Sequence, residues 1–447
     1  MDRVALKLVD TGLQLVSPRG KLSRPSPGLA MIDGRELAVG LDAESRARLN
    51  PRRLHSRFWQ DLGTAPLGRP FPGYLRTADL AHAHLKAVWE ADGGNAEEVL
   101  VALPGVYSDE QLALLLGIAR EVGIRVCGLI DAAVAAAADR ELKPHVLHLD
   151  LHLHRAVFTE LEAGQEIVRK SIRAEPRVGL LALRDTWARV IAQTFVRTTR
   201  FDPLHVAATE QVLYTQLTDH LEVLTEKEST EVCIASGGRQ HTIELDRARI
   251  IDAAKPTYDT LSSLVKDHET PNDTTLLLSH RSAALPGLAD HLEEHTDSKV
   301  VVLHPAAAAG GALAHADRIR SPDPALPFIT RLPGLDARPP GPVTIPVTPP
   351  RDGERHLPTH LVVNGVAHRI DSEPLVLDHA GIVERADLNQ PQVSVRWLAG
   401  QAVLEAPSGT DVTINGNPIE GRTALAPGDR LRIGSADQET LVVAMAG

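Results

Sequence analysis

At 447 residues the chain is long enough for about three domains or subdomains, and 43% hydrophobic with 23% charged residues is an ordinary globular composition. The balance of 47 Lys and Arg against 58 Asp and Glu, a formal charge of −11, argues against a nucleic-acid-coating protein, which needs a clustered basic excess. No apolar run approaches the roughly 20 residues of a membrane span, the opening MDRVALKLVD lacks the pattern of a secretion signal, and two cysteines, Cys127 and Cys233, fit a reducing cytosol rather than a disulfide framework.

In chain order, VALKLV and LQLV flank Asp10-Thr11-Gly12 and predict a hairpin. Thr77 to Asp92 has the periodicity of an amphipathic helix. Val99 to Leu103 is a short apolar strand stopped by Pro104-Gly105. Ser108-Asp109-Glu110 caps a helix running to about Val122, with Gly123 beyond its end. Val126 to Ile130 predicts a strand, Ala132 to Arg140 an alanine-rich helix, and His145 to Glu160 a strand-like stretch. Leu180 to Asp219 is largely helical, and Leu276 to Ser279 and Lys299 to Leu303 are strands. Strands alternating with helices predict an α/β architecture.

From Ser321 to Pro358 the chain carries 11 of its 31 prolines, which cannot sustain a helix or central strand. Residues 321–358 therefore read as a proline-rich linker between a unit at 1–320 and a second at 359–447. In the second unit HLVVNGVAHRI, PLVLD, QVSVRWL, QAVLEA, DVTINGNPI and DRLRIG alternate between Gly, Asn, Asp and Pro turns, as in a small all-β sandwich.

The order of motifs over about 3–320 resembles the nucleotide-binding domain of the actin and heat-shock chaperone superfamily, nearest its DnaK-type branch. The stretch VALPGVYSDEQLALLLGIAREVGIRVCGLIDAAVAAAA, then VLHLDLHLHRAVFTEL, LLLSHRSAALPGLADHL and HPAAAAGGALAHA carry the likeness. The resemblance implies an actin-like ATPase-type fold of two lobes with duplicated ribonuclease H-like subdomains. It also implies that Asp10, Gly12, Asp150 and Arg155 are the residual candidates for holding nucleotide and magnesium. The rest of the family's site is altered. Leu13 and Gln14 replace the hydroxyls of the first phosphate hairpin, and Asp150-Leu151-His152-Leu153-His154-Arg155 lacks every glycine of the second. The lysine position falls on Trp59, the water-positioning glutamate on Ala132 and the adenosine-loop glycines on His280-Arg281. Phosphoryl transfer rests on positioning and electrostatic stabilisation, so the expectation is a pseudo-ATPase with no catalytic residues and no bound cofactor; ATP with magnesium is the alternative.

Residues from about Leu361 to Val442 resemble a forkhead-associated domain through Ile414-Asn415-Gly416-Asn417-Pro418-Ile419 and the run Leu425 to Gly434. Leu377-Asp378-His379 stands where that family's Gly-Arg belongs, and Val393 to Trp397 lacks its histidine, so no arginine fork for bidentate phosphate capture is evident.

His148, Asp150, His152 and His154 alternate along one predicted strand. Period-2 geometry would set them on one face as candidate ligands for zinc or a similar ion. A turn between them would instead leave His148 and Asp150 on the strand and His152 and His154 in the turn. The sequence thus points to a cytoplasmic adaptor or scaffold that engages protein partners through both modules, without nucleic acid or a membrane span. A nucleotide switch and a subunit of a filament or multi-protein assembly are the alternatives.

Overall fold

Two short apolar runs around a turn tripeptide pair as soon as the turn closes, and β1 (Arg3–Lys7) and β2 (Gln14–Val16) lie antiparallel with Lys7 opposite Gln14. The computed structural model describes residues 3–33, 36–68, 75–94, 96–176, 178–270, 273–321 and 326–335. Beyond these it describes 358–363, 366–370, 375–378, 381–382, 393–398, 401–407, 410–415, 417–419, 421–433 and 439–443. The chain divides into two units, Met1–Ala337 and Arg338–Gly447.

After the hairpin come β3 (Ala30–Asp33), β4 (Glu36–Val39), α1 (Gly40–Glu44) and β5 (Leu54–His55), whose strands form a small antiparallel sheet. Helix α2 (Thr77–Asp92) turns Leu80, Ala81, His84, Leu85 and Val88 inward at helical spacing. Strand β6 (Glu98–Leu103) is buried along its whole length, as a central parallel strand must be. In α3 (Asp109–Val122), Ser108 and Gln111 form a reciprocal capping box, and Gly123 closes the helix at φ 89°, where a side chain would be strained. Then follow β7 (Val126–Asp131) and α4 (Ala132–Ala137), capped by Asp131.

The second half of this unit holds β8 (His145–Leu151), β9 (Arg155–Ala163), β10 (Glu166–Pro176), α5 (Leu180–Thr199) and α6 (Ala207–Glu226). It continues through β11 (Ser229–Ser236), β12 (Arg239–Asp246), α7 (Arg247–Lys266), β13 (Thr274–Leu278), α8 (His280–Ala283), α9 (Leu288–His295) and β14 (Lys299–Val302). It ends with α10 (Ala307–Ala314), α11 (Ala316–Ile319), β15 (Phe328–Ile329) and β16 (Arg331–Pro333). One sheet runs β15-β7-β6-β1-β2 and the other β14-β13-β8-β9-β10-β16. Both share a plan: the first strand of an antiparallel hairpin (β1 or β8) also pairs parallel with a later strand (β6 or β13), which pairs parallel with the next. The unit is mixed α/β.

Helices α4 and α10 lie in a core of small residues shared by both sheets: Ala133 to Ala138, Ala308, Ala309 and Ala312 pack with Ala5, Leu100, Val146 and Leu277. Their approach is close enough that a Cβ on Gly311 would overlap the Ala135 carbonyl, which is the use of glycine here. The expected linker begins later than its prolines imply. Residues 326–335, read as linker, contain β15 paired to β7 and β16 paired to β10. Pro327 precedes one edge strand and Pro333 ends the other, where a missing N–H costs nothing. Residues 322–325 and 336–357 of the expected linker lie outside the described residues.

The second unit is antiparallel throughout its described residues. It contains β17 (His360–Val363), β18 (Val366–Arg369), β19 (Leu375–Asp378), β20 (Gly381–Ile382), β21 (Val393–Leu398), β22 (Gln401–Ala406), β23 (Val412–Ile414), β24 (Asn417–Pro418), β25 (Gly421–Ala424), β26 (Arg430–Ile433) and β27 (Glu439–Val443). These make two sheets, β18-β17-β27-β26-β23-β24 and β20-β19-β21-β22-β25. Leu361, Val412 and Leu431 from one sheet and Val393, Val395 and Leu404 from the other share a single core, the pattern expected of a sandwich. Among the described residues no helix is long and apolar enough to cross a membrane.

Candidate functional site

The two hairpin turns of the N-terminal unit meet, and successive backbone donors of the second are already engaged. Strand β8 stops at Leu151, so His148 and Asp150 lie on the strand while His152 and His154 fall in the turn to β9. The Leu151 N–H donates to Ser282 Oγ (3.1 Å), His152 N–H to the Arg155 carbonyl (2.8 Å) and Leu153 N–H to Asp10 Oδ1 (3.0 Å). On the other side the His152 and Leu153 carbonyls accept the first N–H groups of α5, at 2.9 and 3.1 Å. Gly179 permits this contact, since a Cβ there would come within 2.6 Å of the His154 backbone. A phosphate cradle depends on successive free N–H groups aimed at the anion; three successive ones here are bonded within the protein.

Asp10 is 2% exposed. Besides the Leu153 N–H its carboxylate has His152 Nδ1 at 3.5 Å. Asp150 is buried as well, yet its carboxyl sits below the ordinary aspartate range. Burial pushes it up, and the Lys7 ammonium, His152, His148 and a hydrogen bond from Ser279 together pull it down further. Lys7 is in turn lowered by burial, with Asp150 opposing and Arg281 reinforcing that shift. The Arg281 guanidinium, in α8, lies in the space a Cβ on Gly12 would occupy, beside Pro25. Asp150, Glu44 and Asp10 are the carboxylates whose charges act on it. Two cations thus act on the buried Asp150. Arg281 was legible as a departure from a glycine pattern. Lys7 was missed, although a lone charge inside VALKLV was a usable signal.

Around this centre the altered positions have structural partners. Trp59 is buried and donates Nε1–H to His84 Nδ1 (2.9 Å), and His84 Nε2 meets Ser26 Oγ at 2.8 Å. Acceptance at Nδ1 leaves the proton on Nε2, so the Ser26 oxygen accepts it. Burial pushes the His84 pKa down to about 3. Ala132 opens α4, where its neighbour Asp131 accepts from the Ala133 N–H (2.9 Å) and pairs with Arg169 (2.8 Å).

The alternating His148, Asp150, His152 and His154 do not come together as a ligand set. Among the described residues no group of three or more His, Cys, Asp or Glu could hold a metal ion. His152 turns toward Asp10, and His154 Nε2 bonds Ser56 Oγ at 2.9 Å. Arg155 projects elsewhere. Its side chain lines a cavity of about 510 Å³ with Arg57, Gln60 and His154. Tyr107 senses both Asp10 and Arg155 and is raised above the usual tyrosine range, chiefly by burial.

In the second unit, Asn415 at φ 52° and Gly428 at φ 96° make the closing turns. Asn415 Nδ2 donates to Asp429 (2.8 Å) and its oxygen accepts from Arg430 N–H (3.0 Å). Arg396 and Arg422 both pair with Glu405, at 2.9 and 2.6 Å. His379 lies outside the described residues. Compared with protein-family models and with curated proteins, the chain matches none.

Proposed function

We propose that this chain is a non-catalytic adaptor: a pseudo-ATPase of the actin and heat-shock chaperone type joined to a forkhead-associated-like module, holding protein partners through both. The reading of the fold is supported by the repeated plan of the two large sheets, each a hairpin extended by parallel crossover strands, which is what duplicated ribonuclease H-like subdomains require. The reading of the second module is supported by its two antiparallel sheets over one core.

One observation carries the loss of nucleotide chemistry. The N–H groups of Leu151, His152 and Leu153 are all bonded internally, the last of them to Asp10. Binding a triphosphate would break those bonds and displace Arg281 from Gly12, and each buried group left unpaired costs about 1–3 kcal/mol. With two modules on one chain, linker reach sets the effective concentration of the second contact. Capture experiments with the full-length chain, and with each module altered on its surface, test the adaptor role: a specific partner whose retention needs both modules is expected, and a chain that retains no specific partner contradicts it.

A further inference from the structure

The cavity beside the second turn belongs to neither aspartate. Asp10 and Asp150 are not among its lining residues, and among the described residues that form its wall there is no carboxylate at all. Arg57 and Arg155 line it instead, with His154 and Gln60.

Neither guanidinium has a hydrogen bond or an ion pair to another described residue, and the Arg155 Nε is fully buried without a partner. The Gln60 side-chain oxygen is in the same condition. Buried donors and acceptors are nearly always satisfied, and an orphan in a folded structure needs a reason. A buried guanidinium edge with no acceptor is the costly kind, because charge raises the desolvation penalty.

Gly179 and Ala182, at the start of the 20-residue helix α5, also line the cavity; the Leu180 and Leu181 N–H groups of that helix are already bonded to the His152 and Leu153 carbonyls. The size, about 510 Å³, is in the range of small-molecule sites.

From these we infer that the cavity between Arg57, Arg155 and the start of α5 binds a small phosphate monoester, its oxyanion held by the two guanidinium groups. Arg–phosphate pairing is planar and bidentate, and a volume of this size accommodates a metabolite-sized ligand. The inference is independent of the adaptor reading: an adaptor without this ligand, or this ligand on a protein with another role, are both coherent.

The test is calorimetry on the full-length protein with O-phospho-L-serine, in buffer holding a chelator and no magnesium. L-serine, inorganic phosphate and a capped pentapeptide carrying phosphoserine serve as comparison probes. Saturable binding of O-phosphoserine and none of L-serine is expected. Affinity should fall about ten- to a hundredfold in Arg155→Met and likewise in Arg57→Met, whose exposed side chain makes misfolding no explanation, while Asp150→Asn leaves it unchanged. No binding by the native chain overturns the assignment, as does undiminished binding by both arginine variants. Binding that needs magnesium and disappears in Asp150→Asn overturns it too, by placing the anion between the aspartates. Pentapeptide binding more than tenfold tighter than phosphoserine overturns the small-molecule class.

Discussion

The Arg281 guanidinium occupies the volume that a side chain on Gly12 would need, so a turn that resembles a phosphate-binding hairpin has an arginine lying on it. Glycine is retained there, and what it admits is a cation of the same chain. Together with Lys7 this arginine supplies positive charge around Asp150 and Asp10.

Gly12→Ala is therefore expected to destabilise the N-terminal unit by about 1–3 kcal/mol, the usual cost of overpacking, because the new methyl meets both Arg281 and Pro25. Shortening the arginine should relieve part of that cost. Urea unfolding of Gly12→Ala, Arg281→Ala and the double variant should give a coupling of about 0.5–3 kcal/mol, with the double variant more stable than the sum of the singles. Strict additivity would mean that the two residues do not compete for one space.

His84 makes stability depend on pH. Burial pushes its folded value down to about 3, below the ordinary value near 6.5. Between those values the unfolded chain binds a proton that the folded chain does not. Its contribution is fully present above about pH 6.5 and is lost as pH falls, with a slope of up to about 1.4 kcal/mol per pH unit. His84→Gln should lower stability at neutral pH, by removing the bonds to Trp59 and Ser26, and should flatten that slope between about pH 7 and 5. A variant with the native slope would assign the acid sensitivity to other groups.

Glu98 fastens the beginning of the first unit to its later part. Its side chain is 1% exposed and pairs with Arg3 (3.1 Å) and Arg320 (2.9 Å), with Arg125 at 3.8 Å. Because these arginines are partly exposed, the loss in Glu98→Gln is expected to be about 2–3 kcal/mol, below that of a fully buried pair. Arg320→Gln should cost less, since Arg3 remains. Thermal unfolding ranks the two variants, and equal losses would mean that Arg320 alone provides the attachment.

Local signals were legible in the sequence and distant pairings were not. The Ser108–Gln111 capping box and Gly123 are set by a few adjacent residues, and α3 starts and stops where they place it. Thr77 to Asp92 is likewise one helix, because its apolar period is its own. The alternation of His148, Asp150, His152 and His154 was legible as a pattern, but the turn after Leu151 decides where each goes, and that turn is held by Asp10, Ser282 and α5. Arg281 meeting Gly12, and Arg57 and Arg155 lining one cavity, depend on chain folding between residues far apart in sequence. The proline count concealed β15 and β16, whose pairing comes from β7 and β10 rather than from their own composition.

Calorimetry of magnesium–ATP and magnesium–ADP on the full-length protein, with Asp150→Ala beside it, tests the central claim most directly. Because the Leu151, His152 and Leu153 N–H groups are internally bonded and the Arg281 guanidinium lies where a side chain on Gly12 would be, no saturable heat is expected at millimolar nucleotide from either protein. Saturable magnesium-dependent binding by the native chain that disappears in Asp150→Ala would contradict the account and make the protein a nucleotide switch.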